Sequence, residues 1–423
     1  MGNADARSGD DVAQAPLHYA ALRQERACMT NIEPSPPSLS LTRLFLKFLR
    51  FGFLAFGGPV AQIAMVRQAL VDEERWISSA RFNRLLAIMQ ILPGPEAHEL
   101  CVHLGMLARG RIGGLLAGLG FMLPGFVLML AAAWAYDEWI PGQAGVASIF
   151  FGVQIVVLAI ILRAVHRIGS HVLEDHVLWG LAIASFLATL AGVPFWLPLI
   201  AAGLAYTFTA RRWTALAILA AAVVLAILLP RANGFEPAAV AVASGPVTTV
   251  ALFIAGLKGG LLTFGGAYTA IPYVRSDTVG RGWISDGSFL DGVALAGILP
   301  APLVIFATFA GYVAAGWSGA IAITVGMFLP AFAFSLILFE RLEAVVEHPA
   351  LHRLLAGVAA AVVGVIAATL IQLGWSTAER ASSLWLLAIL FVVALVLVWK
   401  LKGKFVTPTL VLAGGVAGWF LAL

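Results

Sequence analysis

Residues 56–67 read FGGPVAQIAMVR, and residues 264–275 read FGGAYTAIPYVR. The likeness continues outward from this pair. WISSARF at 76–82 answers WISDGSF at 283–289, ILPGP at 91–95 answers ILPAP at 298–302, and GFMLPGF at 120–126 answers GMFLPAF at 326–332. Gly105 and Gly113 correspond to Gly311 and Gly319. The offset drifts only from 208 to 206, so a unit of about eighty residues, with flanking spans, has been duplicated. Chance likeness between apolar segments would share Leu and Ala. It would not share Gly, Pro, Trp and Arg in order.

The chain has 423 residues, of which 61% are hydrophobic and only 11% charged. A soluble globular protein carries about 25% charged residues. The composition therefore specifies an all-α polytopic membrane protein. A net charge of +4 without basic, aromatic-interleaved runs excludes nucleic acid as a partner and leaves the lipid bilayer. Cys28 and Cys101 are too isolated for a disulfide framework or a thiolate metal site, and no cofactor is expected.

Residues 1–40 are polar and end in EPSPPSLS, which predicts a disordered cytoplasmic tail. Residues 41–230 then form the first membrane repeat with a linking span, and 247–423 the second. Spanning-length apolar segments, among them 41–66, 80–107, 247–273 and 288–314, number about thirteen (12–14), with 177–210 the least regular. Placing the N-terminus inside gives alternating Lys/Arg-rich and Lys/Arg-poor loops, as cytoplasmic loops require. The loop 67–84 breaks the pattern, with Arg67, Arg75, Arg81 and Arg84 on the expected outside, so the first segment reads as partly re-entrant. An odd number of spans before the second copy inverts it. Two inverted-topology repeats with discontinuous helices place a site at the repeat interface.

The breaks carry the chemistry. Gly57–Gly58–Pro59 and Pro93–Gly94–Pro95 interrupt the first repeat; Gly265–Gly266 and Pro300–Ala301–Pro302 interrupt the second. Backbone at membrane depth must be bonded or face a cavity, and freed N–H groups at a half-helix start suit an anion. Arg50 and Lys258 each lie six residues before the repeated Phe, and two such cations would suit a dianion. Snorkelling is the bland alternative for both. Gln62 could donate to an oxyanion, and Tyr268 and Thr269 occupy the matching region. Glu96, Glu99 and His103 share one helical face after the Pro93 break, which suits a protonatable cluster. Metal ligation by these three and simple capping by Glu96 are the alternatives.

FGGPVAQIAMV, RWISSARF and LPGPEAHEL, with LLTFGGAYTAIPYV and GWISDGSFLDGVAL, are similar to the chromate ion transporter (CHR) family in its long, two-repeat form. The resemblance covers about residues 41–422. It implies a multi-pass carrier of the bacterial inner membrane that exports chromate, confers chromate resistance and is driven by the proton-motive force, with sulfate as the structural analogue. Carried over residue by residue, Arg50, Gly57, Gly58, Pro59, Gln62, Pro93, Gly94, Pro95 and Glu96 match the first motifs, and Lys258, Gly265, Gly266, Tyr268 and Pro302 the second. His98 stands where the family has Gln, and Gly297 and Ala301 replace an acid and a glycine.

The expected function is thus an oxyanion exporter with protons as coupling ion, or a sulfate carrier running inward. A membrane hydrolase using Glu96 with His98 or His103 is the alternative of another class. No enzyme activity is expected. One chain holds both repeats, so a monomer suffices and a homodimer is compatible.

Overall fold

A computed structural model describes residues 34–139, 144–229, 246–264, 266–338, 349–401, 403 and 405–421. Most of the expected tail, with Gly265, Arg231, Arg341, Lys402 and Lys404, lies outside them. Every regular element among the described residues is helical. In the first half these are α1 (Leu41–Phe53), α2 (Gly58–Arg67), α3 (Ser79–Ile91), α4 (Glu96–Trp139), α5 (Ala144–Val172), α6 (His176–Leu190), α7 (Trp196–Thr207) and α8 (Arg212–Leu228). The second half holds α9 (Thr249–Leu261), α10 (Ile271–Thr278), α11 (Asp286–Ile298), α12 (Phe306–Leu338), α13 (Pro349–Glu379), α14 (Leu384–Lys400) and α15 (Val406–Leu421).

Local chemistry sets the starts of the repeated helices. Ser40 and Thr248 cap α1 and α9, accepting from the N–H groups of Arg43 and Ala251. Ser78 and Ser285, the serines of the two WIS motifs, cap α3 and α11 in the same way. A side-chain oxygen there satisfies a donor that the first helical turn leaves free. The repeated serine is therefore a structural residue.

All four breaks occur. α1 stops before Gly57 and Gly58, whose φ of 86° and 77° exclude most L-residues. α3 ends before Pro93–Gly94–Pro95, α9 before Gly266, and α11 before Pro300–Ala301–Pro302. The expectation of four long spans interrupted at these points needs correcting, because the chain folds back at each break. Lys47 pairs with Glu74 and Phe48 packs on Trp76 with ring centroids 6.3 Å apart, so residues 74–76 return to the middle of α1. A Cβ on Gly259 would lie 3.0 Å from the Val274 side chain, so α10 returns along α9. A Cβ on Gly292 would touch the Phe309 ring, and Phe289 stacks edge-on to Phe306 at 5.6 Å. In a continuous helix residues 292 and 309 would be about 25 Å apart. α3 likewise packs along α4.

The 44-residue α4 would run about 66 Å if straight, twice the hydrocarbon thickness. It bends sharply at Arg109–Gly110, where Gly110 has φ 62°, and its arms pack through Gly105 and Gly113. α12 does the same at Ala315–Gly316, with Gly316 at φ 63° and Gly311 against Gly319. The duplicated glycines thus have a shared role: with no Cβ they let the two arms of a tight hairpin touch. The later arm of α4 packs on α1, as that of α12 packs on α9.

The remaining helices are also reciprocal. α5 lies against α14 and α15, while α13 lies against α6 and α7. Small residues make the close contacts, Gly152 with Gly414 and Gly418, and Gly357 with Ala202 and Gly203. α8 buries none of its residues and leans on α7; it has no counterpart in the second half. Among the described residues four helices, Glu96–Glu138, Val146–Val172, Leu303–Ile337 and Ala350–Glu379, are long and apolar enough to cross a membrane, and six shorter ones are apolar. Trp213 is 74% exposed and Trp385 82%, an outward apolar surface that lipid satisfies. The chain is an all-α multi-pass membrane protein.

Candidate functional site

The breaks of the two halves meet crosswise. The N–H of Gly94 donates to the carbonyl of Thr263 at 2.8 Å, joining the second break of the first half to the first break of the second. The Gln62 amide donates to the carbonyl of Ala301 at 2.8 Å, joining the other two. The same crossing appears in packing: a Cβ on Gly94 would meet Ala331, and one on Gly125 would meet Ala301. Gly94 corresponds to Ala301, and Gly125 to Ala331. The pair of contacts is therefore what an approximate two-fold relation between the halves produces.

Gln62 is 1% exposed and its amide nitrogen also donates to the Ala55 carbonyl at 2.8 Å. Its two hydrogens are both engaged, so it acts as a strut across the breaks rather than as the free oxyanion donor that the sequence suggests. The Thr269 hydroxyl donates to the Gly266 carbonyl at 2.7 Å and closes the tip of the second half. Tyr268, on the same tip, remains partly exposed. Gly265 lies outside the described residues.

Glu96 and Glu99 occupy the first turn of α4, where the helix dipole favours acids. Glu99 is fully buried, and both of its carboxylate oxygens lack a hydrogen-bond partner. A Cβ on Gly94 would collide with this carboxylate, so the Pro93–Gly94–Pro95 turn holds it from one side. Leaving an ionised carboxylate without a partner in that setting is costly. His98 is fully buried among the rings of Phe328 and Phe332, with centroids 5.0 and 4.7 Å away. These rings belong to α12, so His98 helps to seat one half on the other. His103 is buried on α4. Among the described residues no group of three His, Cys, Asp or Glu side chains is placed to hold a metal ion.

The two expected cations differ in setting. Lys258 is ion-paired with Asp277 at 3.1 Å, and Asp277 also takes Arg281 at 3.3 Å. Arg50 is exposed in the last turn of α1 and has no ion-pair partner among the described residues. Pro302 ends the last break and precedes the short 3₁₀ turn Leu303–Ile305.

Sequence reading missed two groups. Arg163 and Arg167 on α5 satisfy the cytoplasmic Lys/Arg bias as loop charges would, yet both lie inside the helix. Their charges act on the Tyr268 hydroxyl, and that of Arg167 acts on the Glu96 carboxyl. Their i, i+4 spacing, which puts both on one face, was the available signal. The second group is a buried polar network. Asp291 accepts from Tyr136 at 2.8 Å and from Gln154 at 2.7 Å, and Arg380 donates to Gln154 at 3.0 Å. No motif announces it, because its members come from three different helices and the turn that follows α13.

The chromate transporter family model matches residues 42–248 and 250–419. A chromate transport protein of Pseudomonas aeruginosa is 55% identical over 408 residues, covering 95% of this chain and 97% of its own. A chromate transport protein of Cupriavidus metallidurans is 31% identical over 395 residues, covering 90% and 93%. No solved structure matches the chain. Both halves of the described fold carry the matched family pattern, and the chain belongs to the chromate transporter family.

Proposed function

We propose that this protein is a secondary transporter that exports chromate across the bacterial inner membrane, driven by the proton-motive force, and so confers chromate resistance. The observation that carries the reading is the crosswise meeting of four helix breaks, held by Gly94 to Thr263 and Gln62 to Ala301. Broken helices converging from two repeats are how transporters build a substrate site near the membrane midplane. The 55% identity to a protein named for chromate transport supplies the substrate class. In this reading residues 41–230 and 247–423 are inverted repeats following a cytoplasmic tail. Each contributes two re-entrant hairpins that stop at the breaks.

Folding back also improves the charge pattern. Arg67, Arg75, Arg81 and Arg84 return to the cytoplasmic side, where the Lys/Arg bias expects them. Complete crossings then number nine rather than about thirteen: the later arms of α4 and α12, with α5, α6, α7, α8, α13, α14 and α15. Five of these precede the second copy's long arm, an odd number, so the inversion survives the recount.

The tips bearing Gly57, Gly58, Gly266, Tyr268 and Thr269 border the oxyanion, with Arg50 and Lys258 as flanking cations. Glu99, with Glu96 and His103, carries the coupled proton, and the breaks at Pro93–Pro95 and Pro302 act as hinges. Sulfate, of the same shape and charge, is the competing substrate. Initial rates of labelled chromate and sulfate uptake into inverted vesicles, with and without a pH gradient, test this. The expected result is chromate uptake that collapses with the gradient and in Glu99→Gln. Gradient-independent uptake would remove the proton from the mechanism, and sulfate preference would replace the substrate.

A further inference from the structure

We propose that Arg163 and Arg167 on α5 form an oxyanion-binding subsite that delivers the substrate to Tyr268 at the meeting point of the breaks. The inference rests on the transport reading and deepens it by naming a capture site on this chain.

Three observations converge. First, the two guanidinium groups are one helical turn apart, a like-charge spacing that weakens a helix unless an anion lies between them. Second, neither makes an ion pair or a side-chain hydrogen bond among the described residues, although Arg163 is partly buried. Other partly buried arginines here are matched: Arg275 holds Asp286 at 2.7 Å, and Arg281 holds Asp277 at 3.3 Å. Third, their charges act on groups from both halves, Glu96 on α4 and Tyr268 on the second half's tip. The cytoplasmic bias of Arg accounts for basic residues at this end of α5. It does not account for placing one of them, partly buried and unpaired, beside the breaks.

The chemistry fits a tetrahedral dianion. Guanidinium forks bind planar pairs of oxygens with two parallel N–H bonds and keep their charge at any working pH. Arg167 is exposed, Arg163 and Tyr268 partly buried, and Thr269 fully buried, so the series leads from solvent toward the breaks. The second half's corresponding helix, α13, has no Arg or Lys after Arg353, so the subsite serves one face of the protein only.

The test uses the full chain in nanodiscs for equilibrium binding of labelled sulfate and chromate, and in proteoliposomes for transport. Arg167→Gln is the decisive variant, because an exposed side chain contributes little to folding. It is expected to weaken binding and raise KM by about tenfold while leaving kcat within about twofold, with Arg163→Gln at least as severe. Arg167→Lys should recover part of the affinity, as a point charge without the fork. Wild-type Kd and KM in both Gln variants would overturn the subsite while leaving transport intact. Oxyanion binding that is Arg-dependent but unaccompanied by net flux would sustain the subsite and remove the transport reading. A wild-type chain that binds neither oxyanion would overturn both.

Discussion

α3 and α11 descend from the same ancestral helix, yet they sit in the protein quite differently. α11 is buried almost throughout, against α5 and α15. α3 leaves Ala80, Asn83, Arg84, Ala87 and Gln90 exposed and only brushes α13, the helix that corresponds to α5. The cause is legible in a few substitutions between the copies. Arg67 and Arg275 are equivalent. Arg67 reaches Ser79 at 2.9 Å and Asn83 at 3.4 Å, both on exposed α3. Arg275 grips Asp286 through two nitrogens at 2.7 and 2.8 Å and Gln372 of α13 at 2.9 Å. Arg84 stands where Asp291 binds Tyr136 and Gln154. Polar anchors at Asp286 and Asp291 thus tie one hairpin to its neighbours, and Ser79 and Arg84 stand at those positions in its twin. If transport exchanges the roles of inverted repeats, the hairpins of α3 and α11 are the elements that alternate.

The largest expected difference lies at the equivalent arginines. Arg275→Ala strands a buried Asp286 carboxylate and should cost about 3–5 kcal/mol. Arg67→Ala loses only partly exposed neutral bonds and should cost about 0.5–1.5 kcal/mol. Thermal unfolding of both variants in detergent checks the ratio, and equal losses would erase the distinction between the hairpins. Ser79→Asp sharpens it: an acid supplied to Arg67 should raise the melting temperature modestly.

Next comes the pair Asp291 and Arg84. Asp291→Ala leaves Tyr136 and Gln154 without their acceptor and should destabilise by about 1–3 kcal/mol. Arg84→Ala, on an exposed face, should stay within about 0.5 kcal/mol of wild type. The breaks themselves give a functional contrast. Gly94 has φ 149° and faces the Glu99 carboxylate, so Gly94→Ala is expected to abolish transport in vesicles. Ala301 already carries a Cβ at the equivalent place, so Ala301→Gly should transport at more than half the wild-type rate. Similar activities would show that the two breaks do not differ in role.

The repeats and the four breaks could be read directly, because Gly and Pro have backbone roles that survive without tertiary context. Fold-back could not. A Gly or Pro pair ends a helix but does not say whether the next half continues or returns; only the Arg-rich loop 67–84 hinted at a return. Lys258 was visible as a deep cation, but its partner Asp277 arrives through that same fold-back. Gln62 was visible as a membrane-depth amide, whereas the carbonyl of Ala301, 239 residues away, decides what it does. Arg163 and Arg167 were hidden by a rule that explained them too easily, since any basic residue near a helix end satisfies the cytoplasmic bias.

The smallest contrast concerns α6 and α14, which start at the equivalent residues Asp175 and Ser383. Asp175 accepts from the Leu178 N–H at 2.8 Å and from Tyr206 at 2.7 Å, whereas Ser383 makes no side-chain cap bond. Ser383→Ala should therefore be silent, and Asp175→Ala should cost about 1 kcal/mol. The bond from Leu178, aided by Tyr206, holds the Asp175 carboxyl below its ordinary range. A folded-state value below the unfolded one gives stability that is complete above the unfolded value, about pH 4, and lost as pH falls through the folded one. The melting-temperature advantage of wild type over Asp175→Asn, which keeps a cap acceptor without the charge, should hold from pH 6 to about pH 5 and shrink below about pH 4. An advantage that persists unchanged at pH 3 would mean that the carboxylate's charge contributes nothing to the cap, and that Asp175 and Ser383 differ in geometry alone.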